Sequence, residues 1–216
     1  MEKTVKKFDF LTEHWYYKYP EFWELFNGLE KDAKIVDAGC GKSATANKLL
    51  ERGFKNIILL DIEDQRVFEE TKKLPFFRAD LNRDRWPFDD GSINCVVATE
   101  IIEHLENPWF FTREIHRVLK PGGRLILSTP NTWNIMSRLL FLKKGMLECF
   151  GHNFPHHLWS PNKELFEIAL KNFRLLKRFY NQRERLYFFG LCLKIKLPRD
   201  EFWGMHTCYL FEKLPR

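Results

Sequence analysis

Cysteine is sparse in this chain and nowhere clustered. Its five members, Cys40, Cys95, Cys149, Cys192 and Cys208, are widely spaced and form no Cys-x-x-Cys pair. That excludes a disulfide frame or zinc knuckle and points to free thiols in a reducing compartment. No stretch holds the ~18 uninterrupted apolar residues of a membrane span. The opening Met1-Glu2-Lys3-Thr4-Val5-Lys6-Lys7 leads into no long apolar core, so no secretory signal is expected. Together these absences make the cytoplasm the expected compartment. Internal repeats, low-complexity tracts and linkers are also missing, and the 216 residues are read as one domain, 1–216.

The residues present suit a globular protein: 44% are hydrophobic and 21 are Phe. The net charge of +6 is uneven. Residues 171–216 carry 11 Lys and Arg against 4 Asp and Glu. This basic portion suits an anionic substrate, nucleic acid or an acidic membrane surface, and equally an ordinary solvated face.

One stretch is the most informative: Val36-Asp37-Ala38-Gly39-Cys40-Gly41 reads as a buried strand entering a glycine turn, with a helix to follow. A second strand, Ile57-Ile58-Leu59-Leu60, ends in Asp61, 20 residues after Gly41. Glycines so placed let backbone approach a ligand, and an acid about 20 residues on can hold ribose hydroxyls. Asp37 selects among nucleoside cofactors. A carboxylate there would repel a pyrophosphate but favour the ammonium and sulfonium of S-adenosylmethionine. Gly41-Lys42-Ser43 also mimics the end of a phosphate-binding P-loop, but the glycine needed five positions earlier is Val36.

Strands and helices alternate, which calls for a parallel sheet covered on both faces. Strands are expected at about 34–38, 56–61, 76–79, 93–99 and 124–129, with helices at about 43–53, 108–119 and 162–171. Two further β segments are expected near 173–180 and 205–212. Residues 1–30 form an N-terminal helical cap, aromatic-rich from Phe8 to Phe26, and residues 132–160 an insert or lid after strand five.

In this order the motifs resemble class I S-adenosylmethionine-dependent methyltransferases across roughly residues 30–180. Besides the glycine turn, Asp61 and Asp80-Leu81, the resemblance rests on Thr99-Glu100-Ile101-Ile102-Glu103-His104-Leu105 and Arg117-Val118-Leu119-Lys120-Pro121-Gly122-Gly123. It implies a Rossmann-like α/β fold: a seven-stranded, mostly parallel sheet with its last strand antiparallel and helices on both faces. It implies further that Asp37, Gly39 and Gly41 cradle the methionine end of the cofactor and Asp61 holds the ribose. Ile62 would pack on the adenine, Asp80 and Leu81 would lie at its edge, and Glu100 would stand close by. A methyl acceptor that is a small molecule, lipid-linked or a glycan is expected; nucleic acid ranks behind these, for want of a recognisable RNA-binding module. A non-catalytic cofactor-binding scaffold is the other alternative, against which Asp37, Asp61 and Asp80 together argue.

Glu100, Glu103 and His104 follow strand four, where a helical turn would place them on one face. In motif style they are similar to the ubiquinone-pathway O-methyltransferases and the small-RNA 2′-O-methyltransferases. That likeness implies a divalent cation, with His152, His156 or His157 as a further ligand. The preferred reading needs no metal and makes His104 and Glu103 the catalytic pair, His104 as general base. In the insert, Met136, Leu139, Leu140 and Leu147 are read as one helical stripe beside Lys143 and Lys144. It would serve as lid, packing face or peripheral membrane contact. The aromatics from Phe8 to Phe26 are read first as core; the alternative is that Tyr16 or Tyr17 closes over the sulfonium, where a ring face favours a cation.

Overall fold

The computed structural model describes residues 14–150, 155–160, 163–188 and 191–214. A short 3-10 turn, Trp15–Lys18, and helix α1, Pro20–Glu24, open it. The cap is therefore two short pieces where the sequence suggested one long helical run. Pro20 starts a new helix at its N1 position, where its missing N–H costs nothing. The expected cap residues 1–13 lie outside the described residues.

The core is a seven-stranded sheet in the order β3-β2-β1-β4-β5-β9-β6. Its strands are β1 (Ile35–Ala38), β2 (Ile57–Asp61), β3 (Phe76–Arg78), β4 (Ile93–Thr99), β5 (Leu119–Pro130), β6 (Phe173–Tyr180) and β9 (His206–Lys213). The first five run parallel, and β9 lies antiparallel between β5 and β6. All four residues of β1 are buried, as expected of a strand covered on both faces. Val36 and Ala38 pack with Phe111 and Ile115 of α4 (Pro108–Val118), Phe166 of α6 (Lys163–Ala169) and Leu170 just after it. Ile35 points the other way, into a cluster with Leu49 of α2 (Ala44–Glu51) and Tyr16, Phe22 and Phe26 of the lead-in.

Several boundaries differ from expectation. The β5 ladder starts at Leu119, because Ile93 pairs with Leu119 and Cys95 with Arg124, leaving residues 120–123 as the irregularity between them. A short helix, α3 (Glu69–Lys72), and a separate hairpin of β7 (Arg185–Phe188) and β8 (Leu191–Lys194) had no clear sequence signal. Helix α5, Ile135–Lys144, is capped by the Asn134 side chain and closed by Gly145 at φ 67°. Leu147 therefore lies beyond the helix and does not share its stripe. Among the described residues no helix is long and apolar enough to cross a membrane.

Candidate functional site

The C-terminal ends of β1, β2 and β4 meet at the glycine turn. Gly39 and Gly41 take φ of 74° and 47°, the left-handed region that favours glycine. A Cβ on Gly39 would stand 2.5 Å from Ile101 Cγ1, whereas one on Gly41 would meet nothing within 4 Å. The turn is thus packed on one side and open on the other. Asp37 is buried just before it, and its Oδ2 has no hydrogen-bond partner. Burial and then the Asp61 charge push its carboxyl up to about 7, against a hydrogen bond from the Ala46 backbone. An unpartnered buried carboxylate is costly, and a cation in the open side of the turn would relieve it. The residues fit the sulfonium and ammonium of S-adenosylmethionine.

Asp61 Oδ2 accepts from the Gly41 amide at 2.7 Å and Oδ1 from the Ile62 amide at 2.7 Å. Each oxygen keeps a lone pair for a ribose hydroxyl. The Ile62 side chain is exposed, available to an adenine face. Asp80 lies after β3, its Oδ1 taking bonds from the Asn82 backbone and side chain and its Oδ2 pairing with Arg83. Leu81 has its side chain in the core, so its offer to a ligand is backbone.

The lead-in closes the other flank. Tyr16 Oη donates to Thr99 Oγ1 at 2.8 Å, Tyr17 Oη lies 2.9 Å from Thr45 Oγ1, and Trp15 Nε1 donates to Glu100 Oε1 at 3.2 Å. Residues 15–17 are thereby fastened to the ends of β4 and the first turn of α2. Tyr17 is also near enough to Asp37 for that charge, after burial, to raise its phenol. The sequence offered Tyr16 or Tyr17 as a cover for the sulfonium; Tyr16 is fully buried, whereas Tyr17 is only half-buried.

Glu100 does not share a face with Glu103 and His104. It sits at φ 52°, and its Oε1 accepts from Ser128 Oγ at 2.7 Å, while Ile102–His104 form a 3-10 turn. The cluster that does form is Glu103, His104 and His157, whose ligand atoms all lie within 4.8 Å of one another. His104 Nδ1 faces the His156 carbonyl at 2.9 Å and His157 Nδ1 the Cys149 carbonyl at 2.6 Å. Facing acceptors, both Nδ1 atoms must carry hydrogen, which makes Nε2 the acceptor nitrogen of the neutral His104 ring. The His156 side chain is exposed and does not join them, and His152 lies outside the described residues.

Glu103 is fully buried, and neither of its oxygens has a hydrogen-bond partner. Burial, followed by the Glu100 charge, drives its carboxyl well above the usual range; the nearby Thr129 hydroxyl offsets this only in part. Burial lowers the pKa of both imidazoles. His206, at the start of β9 opposite Pro130, also has two unpartnered ring nitrogens, with its ring 5.4 Å from Trp15. Only the strand pairing, invisible in the sequence, brings it here.

Residues 36–127 match the family described as Methyltransferase domain. The Probable S-adenosylmethionine-dependent methyltransferase of Mycolicibacterium smegmatis is 34% identical over 45% of this chain and 38% of that protein. The chain thus spans less than half the length of that relative. The Ubiquinone biosynthesis O-methyltransferase of Rickettsia typhi is 27% identical over 60% of this chain and 61% of its own. Among solved structures, a SAM dependent methyltransferase from Archaeoglobus fulgidus superposes with a TM-score of 0.63 at 17% identity, covering 89% of this chain and 90% of that one, which shows the fold. The sheet order, the acid-lined glycine turn and the matched motifs agree: residues 36–127 carry a methyltransferase domain of the S-adenosylmethionine-dependent kind, set in the class I fold.

Proposed function

We propose that the protein transfers a methyl group to an oxygen or nitrogen atom of a small-molecule, lipid-linked or glycan acceptor. The observation that carries the reading is the buried Asp37 carboxylate with its unpartnered Oδ2 at an open glycine turn. When bound, S-adenosylmethionine supplies an activated methyl on a sulfonium, so the protein has mainly to align donor and acceptor and accept a proton. Asp37 and Asp61 hold charge and ribose, and Trp15–Tyr17 cover the flank. His104 Nε2, beside Glu103, takes the acceptor's proton. Oxygen is favoured as acceptor atom because the similar Rickettsia protein is named an O-methyltransferase.

A second reading of the same site has its own observation. Two imidazoles fixed by Nδ1–H bonds to carbonyls, each with a ligand atom within 4.8 Å of a buried carboxylate's, are the arrangement that holds a divalent cation. A cation there would lower the acceptor hydroxyl's pKa, with His104 as ligand in place of base. This form would also suit a ribose hydroxyl of RNA. Isothermal titration calorimetry tests the main reading: S-adenosylhomocysteine binds and NAD does not, and Asp37→Ala and Asp61→Ala weaken the binding. Tight NAD binding with no response to S-adenosylhomocysteine would refute it.

A further inference from the structure

Helix α5 turns most of itself to solvent. Ser137 is its one buried residue, while Leu142 is 83% exposed, Phe141 59% and Leu139 48%. Leu139 and Leu142, at i and i+3, share a face, and Met146, also exposed, follows just beyond Gly145. Beside them a groove of about 680 Å³ is lined by Trp133, Arg138, Phe141, Leu142 and Leu147. Water gains nothing from such a cluster, and contiguous apolar patches of this kind mark interaction sites.

The charges around the patch indicate its partner. Arg138, Lys143 and Lys144 are exposed, and residues 131–147 contain no Asp or Glu. The next acid, Glu148, is engaged by the Arg183 guanidinium through two hydrogen bonds. An apolar ridge bordered by cations alone complements a surface that is anionic above and apolar beneath. We propose that α5 docks the protein on an anionic lipid bilayer, with Leu139, Phe141 and Leu142 inserted and Arg138, Lys143 and Lys144 at the headgroups. Thr132 and Trp133 line both this groove and a second cavity of about 310 Å³ that reaches Thr129, the neighbour of Glu103. The docked face therefore adjoins the cavity that reaches Thr129.

Vesicle flotation of the full chain, run without cofactor or acceptor, tests this independently of the catalytic reading. Vesicles of phosphatidylcholine with phosphatidylglycerol should carry the protein up the gradient, and phosphatidylcholine alone should not. The double variant K143E/K144E should lose roughly 25-fold or more in vesicle affinity, about fivefold for each positive charge removed. L142E should lose a further apolar contribution of about tenfold. These side chains are exposed, so unchanged melting curves and circular dichroism will show that the variants are folded. Binding indifferent to phosphatidylglycerol, or untouched by both variants, overturns the proposal. So does light scattering that shows a dimer which L142E splits, with no vesicle binding, because the patch would then be a contact between copies.

Discussion

The Gly41 amide donates to the Asp61 carboxylate at 2.7 Å, which ties the turn after β1 to the end of β2 before any ligand arrives. Twenty residues apart in sequence, the two are neighbours because β1 and β2 pair in parallel from Ile35↔Ile57 to Ala38↔Leu60. Asp61 thus shapes the cradle that the proposed function gives to the ribose. Asp61→Asn should keep part of the tie and Asp61→Ala none. Calorimetry should then rank S-adenosylhomocysteine affinity as wild type, Asn, Ala.

Asp37 sets stability against binding. Its carboxyl, ordinarily near ~3.9, stands at about 7 in the folded protein. The native state therefore holds this proton more tightly than the unfolded chain does. The stability this supplies is complete below about pH 4 and lost as pH rises through about 7. Asp37→Asn stays neutral throughout, so the ligand-free variant should melt higher than wild type above about pH 7. Its affinity for S-adenosylhomocysteine should fall by about tenfold or more, the worth of a charged hydrogen bond. Calorimetry of the wild type near pH 6 in buffers of different ionisation enthalpy should register proton release, as the bound ammonium favours the carboxylate.

The two glycines of the turn should fail differently. Gly41→Ala meets open space and bears only the left-handed penalty of about 1–2 kcal/mol. Gly39→Ala adds a 2.5 Å clash with Ile101, whose loop leads into the 3-10 turn of Glu103 and His104. Urea melts should show the larger loss in Gly39→Ala, and turnover should fall in it even at saturating cofactor.

His104→Ala should leave cofactor binding intact and lower turnover by about 10²–10⁴-fold, the usual share of a positioned proton acceptor. Because burial lowers this imidazole's pKa, the acid limb of the wild-type rate profile should fall below the ordinary ~6.5. A chelator separates the two chemistries. Where His104 is the base, activity survives chelation and His157→Ala is milder than His104→Ala. Where a cation is held, chelation abolishes activity and both variants fail alike.

Away from the site, Arg117 donates to the Glu114 carboxylate and to the carbonyls of Trp86 and Phe88, with Asp90 also paired. Arg117 and Glu114 are only 14% and 10% exposed in their side chains. Arg117→Ala would strand a buried carboxylate at a cost of about 3 kcal/mol, or roughly 6–12 °C in melting temperature. Differential scanning calorimetry would measure it.

The sheet was legible because its signals are local: apolar runs such as Ile57–Leu60, the glycine turn, Pro and Gly at boundaries. The place of Asp37, buried at the end of β1 just before the glycine turn, was legible because an apolar run leads straight into that turn. What escaped was whatever depends on long-range pairing. The Trp15–Glu100 bond spans 85 residues, and His206 reaches the site only through the β5–β9 register. Glu100 was misplaced by assuming regular helix from position 100, when its positive φ sends its carboxylate toward Ser128. His157 was one of three histidines in the insert, and nothing in the sequence distinguished it from His156.

The position of β9 between β5 and β6 also governs the order in which the sheet can be assembled. During synthesis β6 emerges earlier but has no strand to pair with until β9 exists. Meanwhile β5 presents an unsatisfied edge, the kind of template that recruits other chains. Closing the sheet joins Arg124 to Glu212 and Phe173 to Lys213, separations of 88 and 40 residues. Contacts of such high order are slow to form. The vulnerable interval in this protein's life is therefore the wait for one late strand, and chaperone demand should track the exposed β5 edge.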